Sequence, residues 1–168
     1  EAVGSQDQVW AAHGGFNRIG FNSNGSYEVS PLLMPNKQRK ELLGSFMLFF
    51  TGFSRFSGEL AERQIANFRN KNKELNLINE FTNNAGKILQ ENTGVVTNLG
   101  HLMHEGWQIK RELAEGVSTP EIDEIYNAGI EAGAIGGKLL GAGGGGFMLF
   151  IVEPENNPEN IIHLLPQS

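Results

Sequence analysis

The residues best suited to chemistry lie near the end of the chain. Gly136-Gly137-Lys138-Leu139-Leu140-Gly141-Ala142-Gly143-Gly144-Gly145-Gly146 runs directly into the apolar stretch Phe147–Val152. Four consecutive glycines carry a heavy conformational-entropy cost, and a simple turn needs only one or two. The physical use for more is close backbone approach to a ligand or another loop, with amides turned toward an anion. Gly141, Gly143 and Gly146 formally fit G-x-G-x-x-G, but a dinucleotide site needs that pattern after a strand and at the start of a helix. Here the expected order is the reverse, a helix before the glycines and a β-rich run after them. A Walker A loop is excluded too, because Phe147 and Met148 stand where Lys and Ser or Thr are needed.

Three other groups are weaker by residue type alone. Arg55 closes Thr51-Gly52-Phe53-Ser54-Arg55 after an apolar run. Its planar fork suits a substrate phosphate in the pocket that Gly52 and Ser54 suggest, although a lone Arg at a strand end is often a surface cation. His101 and His104 stand at i, i+3 with Glu105 beside them, but no third ligand is apparent; they read as a solvated helix face, and no metal site is expected. Asp7, within Gly4-Ser5-Gln6-Asp7-Gln8, is one of 19 acidic residues and by itself reads as a capping or solvated carboxylate.

The elements that must position these groups follow from periodicity. Phe16–Leu33 predicts a hairpin turning at Asn24-Gly25, since both residues tolerate positive φ. Pro31 and Pro35 punctuate a connector. Ser45–Phe50 is apolar without alternation and predicts a strand buried on both faces. Three helices follow. The first opens at Ser57, with Leu60, Ile65 and Phe68 inward. Asn72 caps the second, which carries Leu75, Ile78, Phe81, Ala85, Ile88 and Leu89. The third carries Leu99, Leu102, Met103, Ile109 and Leu113. A fourth starts at Thr119-Pro120-Glu121, a cap, a proline at the first helical position and an acid at the positive end of the dipole, and it stops at Gly133. A helical return is expected after Pro158. Strands mixed with a helical run indicate an α+β class.

Bulk properties narrow the function. The 168 residues carry a net charge of −6, which argues against a nucleic-acid binder. Their 39% hydrophobic content supplies a modest core for one or two small domains. With no cysteine, disulfides, thiolate metal sites and thiol catalysis drop out, and a reducing cytoplasm fits. Neither a secretory leader at the start nor an apolar run long enough to span a bilayer is visible.

The stretch Lys138-Leu-Leu-Gly-Ala-Gly-Gly-Gly-Gly-Phe147 resembles the third motif of the GHMP kinases, the family of galactokinase, homoserine kinase and mevalonate kinase. The match extends to Gln6-Asp7-Gln8, Gly14-Gly15-Phe16-Asn17 and Thr51–Arg55, covers nearly the whole chain, and is most similar to the bacterial heptose 7-phosphate kinases of that family. Val9-Trp10 stands where the pattern has Tyr-Ala. The resemblance implies an α+β domain with an antiparallel sheet packed against helices around a ferredoxin-like core. It makes residues 1–40 the tail of the N-terminal domain and 41–168 a truncated C-terminal domain. The chain is then the C-terminal part of an ATP-dependent kinase acting on the anomeric hydroxyl of a sugar phosphate.

For the site, the resemblance implies Asp7 as the carboxylate that orients the attacking hydroxyl and accepts its proton. Gln6, Gln8, Gly14, Gly15 and Arg55 would bind substrate. Lys138, Gly141, Ala142, Gly143, Gly144, Gly145 and Gly146 would lie near the nucleotide phosphates. ATP and Mg2+ are the implied cofactors, held mainly by a Gly-x-Gly-Ser-Ser-type loop that this chain lacks, so the chain alone is expected to be inactive. Neither nucleic acid nor membrane is an implied partner, and a homodimer is compatible. The competing expectation is a non-catalytic sugar-phosphate-binding or regulatory module, or another sugar kinase of the family, galactokinase-like or fucokinase-like.

Overall fold

The computed structural model describes residues 4–52, 57–91 and 93–153. Helix α1 (Gln6–His13) leads into the hairpin β1 (Asn17–Phe21) and β2 (Tyr27–Pro31). The turn forms where expected, but only Gly25 takes positive φ, 83°, its amide donating to the Asn22 carbonyl at 3.0 Å; Asn24 contributes instead through its side-chain oxygen, which accepts from the Ser26 amide at 3.0 Å. Helix α2 (Asn36–Gly44) comes next. Pro31 and Pro35 predict a connector here, and the structure has a helix instead. The helix buries only Leu42, so it shows no apolar periodicity to read.

Strand β3 (Phe46–Phe50) is followed by α3 (Ser57–Asn67), a 3-10 turn, α4 (Asn72–Ile88), α5 (Val95–Lys110) and α6 (Pro120–Glu131). Thr119 caps α6 as expected, its hydroxyl accepting from the Ile122 amide at 3.4 Å. The cap of α4 is Lys71, with Asn72 already in the first turn. Strands β4 (Ala134–Leu139) and β5 (Phe147–Val152) complete an antiparallel sheet in the order β3-β5-β4. A helical crossover between β3 and β4, then a hairpin to the central strand β5, is three-strand ferredoxin-like connectivity.

β4 corrects the expectation of a helix leading straight into the glycines. Gly136 and Gly137 lie within the strand because packing requires them to be bare. A Cβ on Gly136 would come within 2.0 Å of the Gly100 carbonyl oxygen of α5. A Cβ on Gly137 would meet the Leu149 carbonyl at 2.6 Å. The small residues let α5 lie directly on β4, while α6 presses Gly129 against Phe150 of β5.

One core joins Met47, Trp107, Ile122, Tyr126, Leu139, Met148 and Phe150; a second joins Leu42, Leu89, Val95, Val96 and Ile151. β3 is not buried on both faces. Met47 is buried, but Leu48 and Phe50 are 61% and 48% exposed, because α2 and α5 cover that face only around Phe46 and Ile151. Ile65 also departs from expectation and is 54% exposed. The inward stripe of α3 runs instead through Leu60, Gln64 and Asn67, whose amides bond to backbone carbonyls elsewhere.

Candidate functional site

The glycine segment is the connection of the β4–β5 hairpin, residues 140–146. Strand precedes it and strand follows it, so no helix N-terminus adjoins it and a dinucleotide loop is ruled out on geometry. Five of its glycines have positive φ; at Gly143 (116°) an added Cβ would also lie 2.7 Å from the Val117 carbonyl oxygen. Only glycine fits there.

Four separate elements hold this loop by its backbone. Lys110 at the end of α5 donates to the Gly141 carbonyl at 2.6 Å and the Leu139 carbonyl at 3.3 Å. Gln64 of α3 donates to the Ala142 carbonyl at 2.6 Å. Thr51, buried just past β3, donates through its amide and its hydroxyl to the Gly146 carbonyl, both at 2.9 Å. The Gly144 amide donates to the Val117 carbonyl at 3.0 Å. The anchors therefore take up carbonyls preferentially. The amides of Gly141, Ala142, Gly143, Gly145 and Gly146 find no acceptor among the described residues. A loop with three carbonyls tied down and five N–H groups without an acceptor among the described residues can receive an anion as a nest does.

Lys110 and Lys138 add positive charge behind the loop. Burial, and secondarily the charge of Lys138, pulls the Lys110 ammonium from its ordinary value down to about 7. Burial lowers Lys138 as well. Lys138 stands in β4 rather than in the loop, and its side chain lines a cavity between α4 and α5.

The residues near the start are placed differently. Gln6, Asp7 and Gln8 occupy the first turns of α1, all exposed, with Asp7 favourably placed at the positive end of the helix. Gly14 and Gly15 form a sharp exit from α1 with φ of 63° and 76°. The turn is pinned by Asn17 Nδ2 donating to the Gly14 carbonyl and by Trp10 Nε1 donating to the Gly15 carbonyl at 2.9 Å. That gives Trp10 a local role, and Val9 beside it is buried. No hydrogen bond among the described residues links Asp7 to the glycine loop. Arg55, with Phe53 and Ser54, lies outside the described residues, as does the expected helix after Pro158.

The histidines divide. His101 is exposed, but His104 is half-buried with Nδ1 2.7 Å from the Tyr126 hydroxyl, so it is part of a packed polar pair and not of a solvated face. Burial raises the Tyr126 phenol to about 12. No group of three or more His, Cys, Asp or Glu among the described residues is arranged to hold a metal. Sequence reasoning missed Gln64, Thr51, Lys110 and Val117 as loop anchors. They are spread over more than sixty residues and carry no local pattern.

Comparison with known proteins gives this geometry a lineage. Residues 77–167, more than half of the chain, match the family described as GHMP kinases C terminal. The chain is 33% identical over 155 residues to the D-glycero-alpha-D-manno-heptose 7-phosphate kinase of Campylobacter jejuni, covering 90% of this chain and 44% of that protein. A D-glycero-D-manno-heptose 1-phosphate kinase from Bacteriodes thetaiotaomicron superimposes with a TM-score of 0.67 at 28% identity, over 96% of this chain and 42% of that one. The mevalonate kinase of L. major, in complex with R-mevalonate, shares the fold with a TM-score of 0.73 at 19% identity, over 94% of this chain and 46% of that one. The chain thus spans less than half the length of these relatives, all of them kinases, and no helix among its described residues is long and apolar enough to cross a membrane. With the profile match, the bare-glycine hairpin and the antiparallel α+β core in agreement, the chain belongs to the GHMP kinases and carries their C-terminal domain.

Proposed function

We propose that the complete protein is an ATP-dependent cytoplasmic kinase that phosphorylates the anomeric hydroxyl of a heptose phosphate, with heptose 7-phosphate as the leading substrate. The observation that carries this reading is the β4–β5 loop, in which three carbonyls are tied inward while five amides, without an acceptor among the described residues, suit phosphoryl oxygens. The substrate class rests on the similarity to the heptose kinases. In this reading residues 1–40 are the tail of the preceding domain, with α2 continuing across residues 40 and 41, and residues 41–168 belong to the C-terminal domain.

The roles follow from the chemistry of phosphoryl transfer, in which positioning and charge stabilisation dominate. Asp7 accepts a hydrogen bond from the attacking hydroxyl and takes its proton as the bond to phosphorus forms. Gln6, Gln8, Gly14 and Gly15 line the sugar, and Arg55 holds the substrate's existing phosphate. The amides of Gly141, Ala142, Gly143, Gly145 and Gly146 face the nucleotide phosphates, with Lys138 and Lys110 behind them. Mg2+ bound with ATP, held mainly outside this chain, would supply charge that neutralises the phosphates.

Asp7→Asn in the full-length protein is the direct test. Asn keeps the shape but cannot accept the proton, so kcat falls about a hundredfold, the low end for general bases, while ATP affinity is retained. Near-normal kcat would move the base elsewhere. The 168-residue chain on its own is expected to show no turnover with any sugar, and measurable turnover would overturn the division of labour. Arg55→Ala should raise the KM for a sugar phosphate by roughly tenfold to a hundredfold, as a charge-assisted contact implies, and leave the KM for ATP unmoved.

A further inference from the structure

Two tethers of the glycine loop end on carbonyls whose own peptide units carry an unclaimed amide. Lys110 donates to the Gly141 carbonyl at 2.6 Å. That carbonyl shares its peptide with the Ala142 amide, which has no acceptor among the described residues. Gln64 donates to the Ala142 carbonyl at 2.6 Å, in one peptide with the equally unclaimed Gly143 amide. Neither peptide is cis, so in each the C=O and the N–H point in opposite directions. The tethering donor therefore stands at one edge of the peptide, and an anion received by the amide stands at the other. A donor on the carbonyl polarises the peptide and strengthens its N–H, and an ionised donor does so most.

Lys110 differs from Gln64 in carrying a proton that it can lose. Its second bond, to the Leu139 carbonyl at 3.3 Å, also ends on backbone. No carboxylate lies within ion-pair distance of it among the described residues. Lys138 of β4 and the uncharged Ile78, Phe81 and Thr82 of α4 line the same groove as Lys110. Its neighbour Arg111 is taken up by Asp123 of α6. Burial and, after it, the charge of Lys138 work against the ammonium and bring it down to about 7. Two carbonyl dipoles hold the charged form in place without a negative charge to match it. An anion on the Ala142 amide would supply that charge across a single peptide.

We infer, on the reading of the loop as a nucleotide-phosphate cradle, that Lys110 is a positioning residue which couples anion binding at the loop to its own protonation: a phosphate group received by the Ala142 amide draws a proton onto Lys110. The sign follows from linkage. The anion favours the ammonium and so raises its value above the unliganded one of about 7. Between the two values the complex holds a proton that the free protein lacks, and affinity falls as pH rises through that window. Well below about 7, Lys110 is charged with or without ligand, and affinity no longer depends on its titration.

The experiment uses the full-length protein and MgATP, titrated calorimetrically at pH 7.5 in two buffers of different ionisation enthalpy, which counts the protons exchanged on binding. Lys110→Arg is the informative variant, because Arg keeps a donor and a charge but does not titrate. Wild type should take up roughly half a proton more than Lys110→Arg, the amount for a group moved about one unit upward from about 7. For the same reason wild type should bind MgATP about sixfold more weakly at pH 8.5 than at pH 6.5, a slope that Lys110→Arg removes. Gln64→Leu, which loosens the loop through a neutral tether, should weaken MgATP while leaving the proton count unchanged. Absence of proton uptake by wild type, a readout that needs no variant, would overturn the coupling. So would equal uptake in wild type and Lys110→Arg, or a lowered count in Gln64→Leu, and each of these results leaves the loop standing as a phosphate cradle. Failure of the full-length protein to bind MgATP would overturn the cradle reading and the coupling with it.

Discussion

The two ends of the candidate site are built in opposite ways. The β4–β5 loop is held at four of its residues by Thr51, Gln64, Lys110 and Val117, from four different parts of the fold. The α1 and β1–β2 region is satisfied almost entirely within itself. Trp10 and Asn17 pin its own Gly14-Gly15 turn, Asn22, Asn24 and Ser26 close its own hairpin, and the described side-chain bond that leaves it runs from Arg18 to Asn83 at 2.7 Å. Large residues there, Trp10, Phe21 and Tyr27, are about half exposed. In the proposed reading the loop is a phosphate cradle, which must be rigid before the ligand arrives, since donors that reorganise lose most of their value. A segment whose partners lie elsewhere has no such requirement. The contrast teaches where rigidity is intrinsic to this chain and where it has to be supplied.

The contrast breaks most severely at Gly143. Gly143→Ala combines a left-handed φ of 116° with a Cβ 2.7 Å from the Val117 carbonyl. Backbone strain and a backbone clash together should cost roughly 2–5 kcal/mol, read as a loss of thermal stability and of nucleotide binding. Gly141→Ala is the control, because its Cβ would meet nothing within 4 Å; it should cost about 1 kcal/mol from φ alone. Equal effects at the two positions would mean that the Val117 contact does not hold the loop.

A somewhat smaller effect should appear at Lys110 and depend on pH. Its folded-state value of about 7 lies below the ordinary 10.5, so between these limits the unfolded chain binds the extra proton. Stability should therefore rise with pH from about 7 toward 10.5, with the full penalty present below 7. Lys110→Met removes this slope. The stability difference between wild type and variant should change by on the order of 2 kcal/mol between pH 6.5 and 9.5, measured by denaturant unfolding. A pH-independent difference would show that Lys110 keeps its proton in both states.

Gln64→Leu deletes one tether and leaves the Ala142 carbonyl without its donor, at about 1–2 kcal/mol, with a raised KM for ATP in the full-length protein as the functional readout. At the loose end of the comparison, Arg18→Ala removes an exposed hydrogen bond and should change stability by no more than about 0.5 kcal/mol. A large effect there would mean that the N-terminal segment is docked as firmly as the loop.

Much was determined by the sequence itself, because the physics involved is local. Asn24-Gly25 specifies its turn through the positive φ of Gly25 and the side-chain oxygen of Asn24, and Thr119-Pro120-Glu121 specifies a helix start through one hydroxyl, one fixed φ and one charge. The apolar rhythms of α4 and α5 mark helices, and the glycine cluster marks a place where backbone must approach something closely. Tertiary structure decided what had no local signature. Gly136 and Gly137 looked like the start of the loop; they are strand residues left bare so that α5 and β5 can close on them. The apolar run 46–50 looked buried on both faces, but exposure depends on which elements lie over it, and none among the described residues covers Leu48 and Phe50. Ile65 looked inward while the polar Gln64 and Asn67 were inward instead, because the loop and the 113 turn beside α3 present carbonyls that need donors. The anchors at Thr51, Gln64, Lys110 and Val117 are far apart in sequence and close in space only after β3, α3 and α5 pack together. Hydrogen bonds between distant residues leave no period or spacing in a sequence.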